Sequence, residues 1–207
     1  MQIHELQLRH DLKNIWSPQR ILEKHGWKVL GWGLEAAVAE HPTKPYVLKL
    51  YYNSSKYSRF VDFVRENPTS PYLPKFSRYV RELPGEWMYV RMEKLTPVSE
   101  DKLLTRYFPQ IVVLSWLGIQ RHFDGLSRLL NQEVIELAGT KGLDLNDPST
   151  TLDTIQSKLG KVTPEWIRVC QALLDHAKST GIGRGLDLHP GNFMKRGNVI
   201  VITDPYV

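Results

Sequence analysis

The hydrophobic pattern changes period near the middle of the chain, and this limits the fold more than any single motif. Residues 27–52, WKVLGWGLEAAVAEHPTKPYVLKLYY, fall into short apolar runs broken by turn residues, which predicts three strands. Gly31-Trp32-Gly33 is expected to turn between the first two, and His41 to Pro45 between the second and third. PKFSRYVRELPGEWMYVRME predicts two more strands around Pro84-Gly85. Ser17-Pro18 reads as a cap and first position of a short helix ending by Gly26. A second helix is expected over Ser54–Asn67, stopped by Pro68, with Tyr57, Phe60, Val61 and Val64 on its apolar face.

Beyond this sheet-rich part the period becomes helical. Leu126, Leu129, Leu130, Val134 and Leu137 recur at helical spacing after Asp124, a suitable cap. Residues 139–160 are rich in Gly, Asp and Thr and read as a loop with one short helix. Thr163-Pro164-Glu165 opens an amphipathic helix whose face carries Ile167, Cys170, Leu173, Leu174 and Ala177, and which Gly181 ends. A strand, NVIVIT, precedes Asp204. Strands followed by helices make the chain α+β, with a sheet-rich part over 1–95 and a helical part over 96–207.

Charge and composition exclude more than they identify. The net charge is +5, but the basic residues are scattered and form no block, so no nucleic-acid partner is expected. Cys170 is the only cysteine, which precludes an internal disulfide, and its place on a helical core face predicts a buried thiol. The opening residues lack the apolar run of a secretory leader. The longest apolar run, IVVLSWLGI from Ile111, is too short to span a bilayer. A cytoplasmic protein with no membrane association is expected.

Chemistry concentrates in LDLHPGNFMKRGNVIVITDPY, residues 186–206. Asp187 and Asn192 flank a His-Pro-Gly turn, and Asp204 follows a hydrophobic strand immediately after it. Metal-assisted phosphoryl transfer needs such parts: a carboxylate to accept or orient a hydroxyl, with an amide and a second carboxylate on Mg2+. Oxygen donors from Asn and Asp suit magnesium, and nothing nearby supplies the His/Cys set of zinc. Singly, each residue has a plainer reading: Asp187 as a turn or cap aspartate, Asn192 as a turn residue, Asp204 as the end of a strand.

These residues resemble the protein-kinase-like superfamily. GLDLHPGN is similar to its catalytic loop, with Gly185 where protein kinases usually have histidine, and VITDPY to its magnesium-binding strand and loop. Upstream, VLGWGLEAAV resembles the glycine-rich loop over ATP, YVLKL the strand with the phosphate-binding lysine, and YVRMEKL the edge strand and hinge. The resemblance is nearest to the early serine/threonine protein kinases of short-tailed lytic phages, over residues 27–51 and 181–206, and faint between. It implies a two-lobed fold with a small antiparallel-sheet lobe, a mostly helical and truncated second lobe, and ATP between them.

The resemblance also assigns roles. Asp187 would be the catalytic base or hydroxyl-orienting group; Lys49 would hold the α- and β-phosphates; Gly31 and Gly33 would cover them. Asn192 and Asp204 would hold Mg2+. Met92 would be the gatekeeper, and the backbone of Glu93 to Leu95 would meet adenine. His189 stands where many protein kinases carry lysine, and either contacts the transferring phosphate or holds the loop. Alternation within YVLKLYY also allows Lys49 a solvent-facing place. The expected acceptor is a protein serine or threonine, of a bacterial host or of the protein itself. Small-molecule kinases of the same fold, and a pseudokinase-type module that inhibits a partner, are the alternatives.

Two departures stand out. Glu66, where a lysine partner is sought, falls about 200° around the helix from Val64 and points away from the core, so Glu35 or Glu86 is considered in its place. No activation segment or Ala-Pro-Glu element follows Asp204, so substrate recognition is expected from the segment between Leu95 and Lys161.

Overall fold

The computed structural model describes residues 18–32, 36–83, 86–121, 128–182 and 186–206. Expectations placed on Ser17, Gly33, Glu35, Pro84-Gly85, Asp124, Leu126 and Gly185 lie outside these residues. The chain is α+β and divides into two compact units, Met1–Glu66 with Pro74–Lys94, and Asn67–Leu73 with Leu95–Val207.

The first unit is a five-stranded antiparallel sheet with two helices. Helix α1 (Pro18–Lys24) leads into β1 (Lys28–Trp32), β2 (Ala36–Glu40) and β3 (Tyr46–Tyr52). Helix α2 (Lys56–Glu66) and strands β4 (Phe76–Glu82) and β5 (Trp87–Glu93) follow, with sheet order β1-β2-β3-β5-β4. α1 stops because Gly26 takes a φ of 77°, which lets Trp27 N donate back to the Leu22 carbonyl.

β3 is central and buried on both faces, which explains its near-continuous apolar run. Leu48 and Leu50 join Ile21, Leu22, Trp27, Ala37, Ala39, Leu83 and Tyr89 in one core cluster. The alternate residues Lys49 and Tyr51 meet α2 instead, through Tyr57. α2 buries Tyr57, Phe60, Val61, Phe63 and Val64, one residue more than its helical pattern predicts.

The expected turn at Gly31-Trp32-Gly33 needs correction. Gly31 and Trp32 lie inside β1, opposite Val38 and Ala37, and the register shifts between Val29 and Gly31. A strand glycine tolerates such a bulge because it has no side chain to place on either face.

The second unit holds a three-stranded antiparallel sheet and five α-helices among its described residues. β6 (Thr96–Pro97) precedes α3 (Glu100–Thr105), α4 (Phe108–Gln120), α5 (Arg128–Thr140), α6 (Leu152–Leu159) and α7 (Pro164–Ser179). A short 3-10 turn (Pro190–Asn192) then leads into β7 (Phe193–Arg196) and β8 (Val199–Ile202), in the order β6-β7-β8. The IVVLSWLGI run lies in α4, which packs against α5, α6 and α7, and so is apolar nearly all round. No helix among the described residues is long and apolar enough to cross a membrane.

α7 begins as its sequence predicts, with the Thr163 hydroxyl accepting from Trp166 N and Pro164 in the first turn. Its end also matches: Gly181, at φ 69°, allows Ile182 N to reach the Ala177 carbonyl. The buried stripe is wider than expected, because Trp166 and Val169 lie in the core while Ile167 is only half-buried. Trp166 is fixed there by its Nε1 donating to the Gln110 carbonyl at 3.0 Å.

Segment 67–73 shows how little local pattern decides its place. Arg196 donates through Nη1 to the Pro71 carbonyl and through Nη2 to that of Leu73, while Ile202 N donates to the Tyr72 carbonyl. The Tyr72 ring meets Trp166 edge-on.

Candidate active site

In the second unit, β7 and β8 form a hairpin that carries one loop at each end of the motif. Residues 187–192 precede β7, and residues 203–206 follow β8. Pairing of Phe193 with Ile202 makes the two loops neighbours. Backbone bonds then join them directly. Asp187 N donates to the Pro205 carbonyl at 2.7 Å, Leu186 bridges Tyr206, and Thr203 N donates to the Asn192 carbonyl at 2.9 Å. The Thr203 hydroxyl adds a bond to the same carbonyl at 3.0 Å. Asp187, Asn192 and Asp204 are thereby gathered in one place, each half-buried.

Local bonds set the side chains of this cluster. Asp187 Oδ1 accepts from His189 N at 3.2 Å, closing an Asx turn. Asn192 Nδ2 donates to the Asp187 carbonyl at 3.1 Å. That contact fixes the amide's orientation, since only its nitrogen can donate to a carbonyl, and leaves Oδ1 as its acceptor atom. His189 Nδ1 accepts from Gly191 N at 3.1 Å, capping the 3-10 turn. A proton on this imidazole's Nδ1 would break the cap, so the loop selects the tautomer with hydrogen on Nε2. This bond is of the loop-holding kind expected for His189.

The donors gathered here, one carboxylate and one amide oxygen with a second carboxylate beside them, are of the hard type that Mg2+ takes. They fit that cation if other oxygens complete its shell, as phosphates do. Among the described residues, no group of three or more His, Cys, Asp and Glu side chains could hold a metal by itself.

Tyr206 anchors the second loop. Its ring stacks on His176 of α7, and its hydroxyl lies 2.8 Å from His176 Nδ1 and donates to the Leu173 carbonyl. Burial pushes the phenol's pKa far above its ordinary range. Thr203 and Tyr206 lie inside the VITDPY stretch, but the sequence assigns neither a role of its own.

In the first unit, Lys49 pairs across the sheet with Val38 and Val90 and is only 9% exposed, which removes the solvent-facing alternative. Its Nζ lies 4.2 Å from the centroid of the Tyr57 ring, a cation–π contact. On α2, Asp62 and Glu66 are both exposed, in keeping with the outward direction expected for Glu66. Met92 is buried opposite Val47. Glu93 is tied to the start of β4: its N–H donates to the Lys75 carbonyl, and its Oε1 accepts from Lys75 N at 2.7 Å. The Glu93 N–H is therefore committed within the protein. Gly31 is exposed, and a Cβ there would meet nothing within 4 Å, so no contact inside the protein demands glycine. Leu95, in the second unit, is half-buried.

A scan against protein-family models finds no match for the chain, and a search of curated proteins finds none either.

Proposed function

We propose that the chain is an ATP- and Mg2+-dependent protein serine/threonine kinase. The observation that supports this most is the gathering of Asp187, Asn192 and Asp204 by the bonds from Asp187 N to Pro205 and from Thr203 to Asn192. Three side chains of the right chemistry, from the loops on either side of the β7–β8 hairpin, share one backbone-locked cluster. A turn aspartate or a strand-ending aspartate, taken singly, needs no such company.

In this reading Asp187 orients the acceptor hydroxyl and takes its proton as the oxygen attacks the γ-phosphorus of ATP. The bond to the β-phosphate oxygen breaks, ADP leaves, and the proton passes to solvent. Mg2+, when bound, draws charge from the phosphate oxygens. Asn192 and Asp204 hold that cation. Lys49 places a buried positive charge on the phosphates, Gly31 lies over them, and Met92, Glu93 and Leu95 contribute to adenine binding. His189 keeps the Asp187 loop in shape through its Nδ1.

The test is transfer from γ-labelled ATP with Mg2+, to the protein itself and to a bacterial lysate, beside Asp187→Asn and Asp204→Asn. Label on serine or threonine that both substitutions abolish is the expected result. Absence of label with intact ATP binding overturns the reading in favour of a module that acts by occupying a partner. Label confined to small hydroxylated metabolites makes the chain a small-molecule kinase instead.

A further inference from the structure

Tyr206 is held more firmly than a residue that merely follows a metal ligand needs to be. Its side chain is 6% exposed, and its ring lies nearly parallel to the His176 imidazole, at 16° and 5.8 Å between centroids. The hydroxyl donates to the Leu173 carbonyl at 3.3 Å and lies 2.8 Å from His176 Nδ1. With its hydrogen directed to Leu173, the phenol oxygen accepts from Nδ1–H, and every proton in the group has a place. On its backbone side, Tyr206 bridges Leu186, and the preceding Pro205 carbonyl accepts from Asp187 N. The helix that receives it is well rooted, with Trp166, Cys170, Leu173 and Leu174 fully buried.

We propose that Tyr206 is a positioning residue: it clamps residues 204–206 onto α7, and through them sets both Asp204 and the start of the Asp187 loop before metal and nucleotide arrive. The inference rests on the reading of Asp204 as a metal ligand. A phenylalanine at 206 fills the same space but gives up both bonds, so the ring alone does not supply the clamp. The cluster's order then depends on α7, an element that contributes no ligand itself.

The experiment uses the full chain with Tyr206→Phe, His176→Ala, the double variant and Asp204→Asn. Binding of a fluorescent ATP analogue is titrated with Mg2+, and hydrogen exchange is followed in the peptide containing Asp187. Tyr206→Phe is expected to raise the Mg2+ concentration for half-maximal binding about tenfold, the scale of one or two buried hydrogen bonds. Binding measured without metal should stay unchanged, and exchange at the Asp187 amide should quicken. The double variant should cost less than the sum of the two single variants, because both substitutions cut the same Nδ1–hydroxyl bond. If Asp204→Asn abolishes the Mg2+ dependence while Tyr206→Phe matches the wild type in both readouts, the clamp is wrong and the metal reading survives. If Asp204→Asn leaves the Mg2+ dependence intact, or none exists, the metal reading fails and the clamp's role fails with it.

Discussion

Replacement of Lys49 by methionine separates a structural lysine from a phosphate-holding one. Methionine keeps the length and apolar volume of the stem, so the packing of β3 between β2 and β5 is preserved. The charge is lost from a site only 9% exposed, together with the contact to Tyr57 at 4.2 Å. The cation–π contact is worth about 0.5–2 kcal/mol, while removal of a buried ammonium returns a desolvation penalty of similar or larger size. The two oppose each other, so stability should change by less than the about 3 kcal/mol that breaking a buried charged pair costs. Catalysis has no such compensation. A preorganised charge on the reacting phosphates contributes about 3–4 kcal/mol, so transfer should fall on the order of 100- to 1000-fold. Urea denaturation followed by tryptophan fluorescence reads the first quantity, and γ-labelled ATP reads the second. Transfer by Lys49→Met within about threefold of wild type would refute the phosphate role. Destabilisation beyond about 3 kcal/mol would refute that opposition and show that the charge is part of the core.

Three further outcomes follow from single contacts. Thr203→Val removes the hydroxyl bond to the Asn192 carbonyl from a site 6% exposed and keeps the backbone bond, so it should cost about 1 kcal/mol in urea denaturation; an unchanged midpoint refutes that contact. Cys170 is fully buried, and burial pushes its thiol pKa well up, so it should resist a thiol reagent at pH 8 until the protein is unfolded. Tyr51 and Tyr206 are both raised above the ordinary 10.0, chiefly by burial, so the fold favours their neutral forms. Their contribution to stability is complete below about pH 10 and is lost as the pH rises above it. Urea midpoints at pH 8 and above pH 10, with absorbance at 295 nm, should show stability falling while these two phenols ionise only on unfolding.

Much of the architecture was legible where local pattern and tertiary placement agree. Apolar runs bounded by turn residues gave β3 and β5, and cap chemistry gave both ends of α7, because Thr163 and Gly181 act on backbone within a few residues. Register was less legible. Gly31 looked like a turn residue, yet a bulge absorbs it within β1. β7 was missed because FMKR is short and mixed in polarity, and only its partner β8 makes it a strand. Nothing local assigned 67–73, whose place depends on an arginine far along the chain. At the site, Asp187, Asn192 and Asp204 could be picked out by residue type and spacing. The atoms that bring them together could not, because Pro205, Thr203 and Asn192 act there through backbone carbonyls and amides, which every sequence supplies.

The way the chain is shared between the two units has a consequence for dissection. It leaves the first unit after Glu66, returns at Pro74 and leaves again after Lys94, so no single cut yields two intact pieces. A C-terminal fragment beginning at Leu95 would lack the Pro71 and Leu73 carbonyls that receive Arg196, and the tyrosine that lies edge-on to Trp166. Such interleaving ties synthesis order to maturation: the helical unit cannot close on segment 67–73 until β7 has left the ribosome. It also means that neither unit can be swapped between genes as a contiguous cassette.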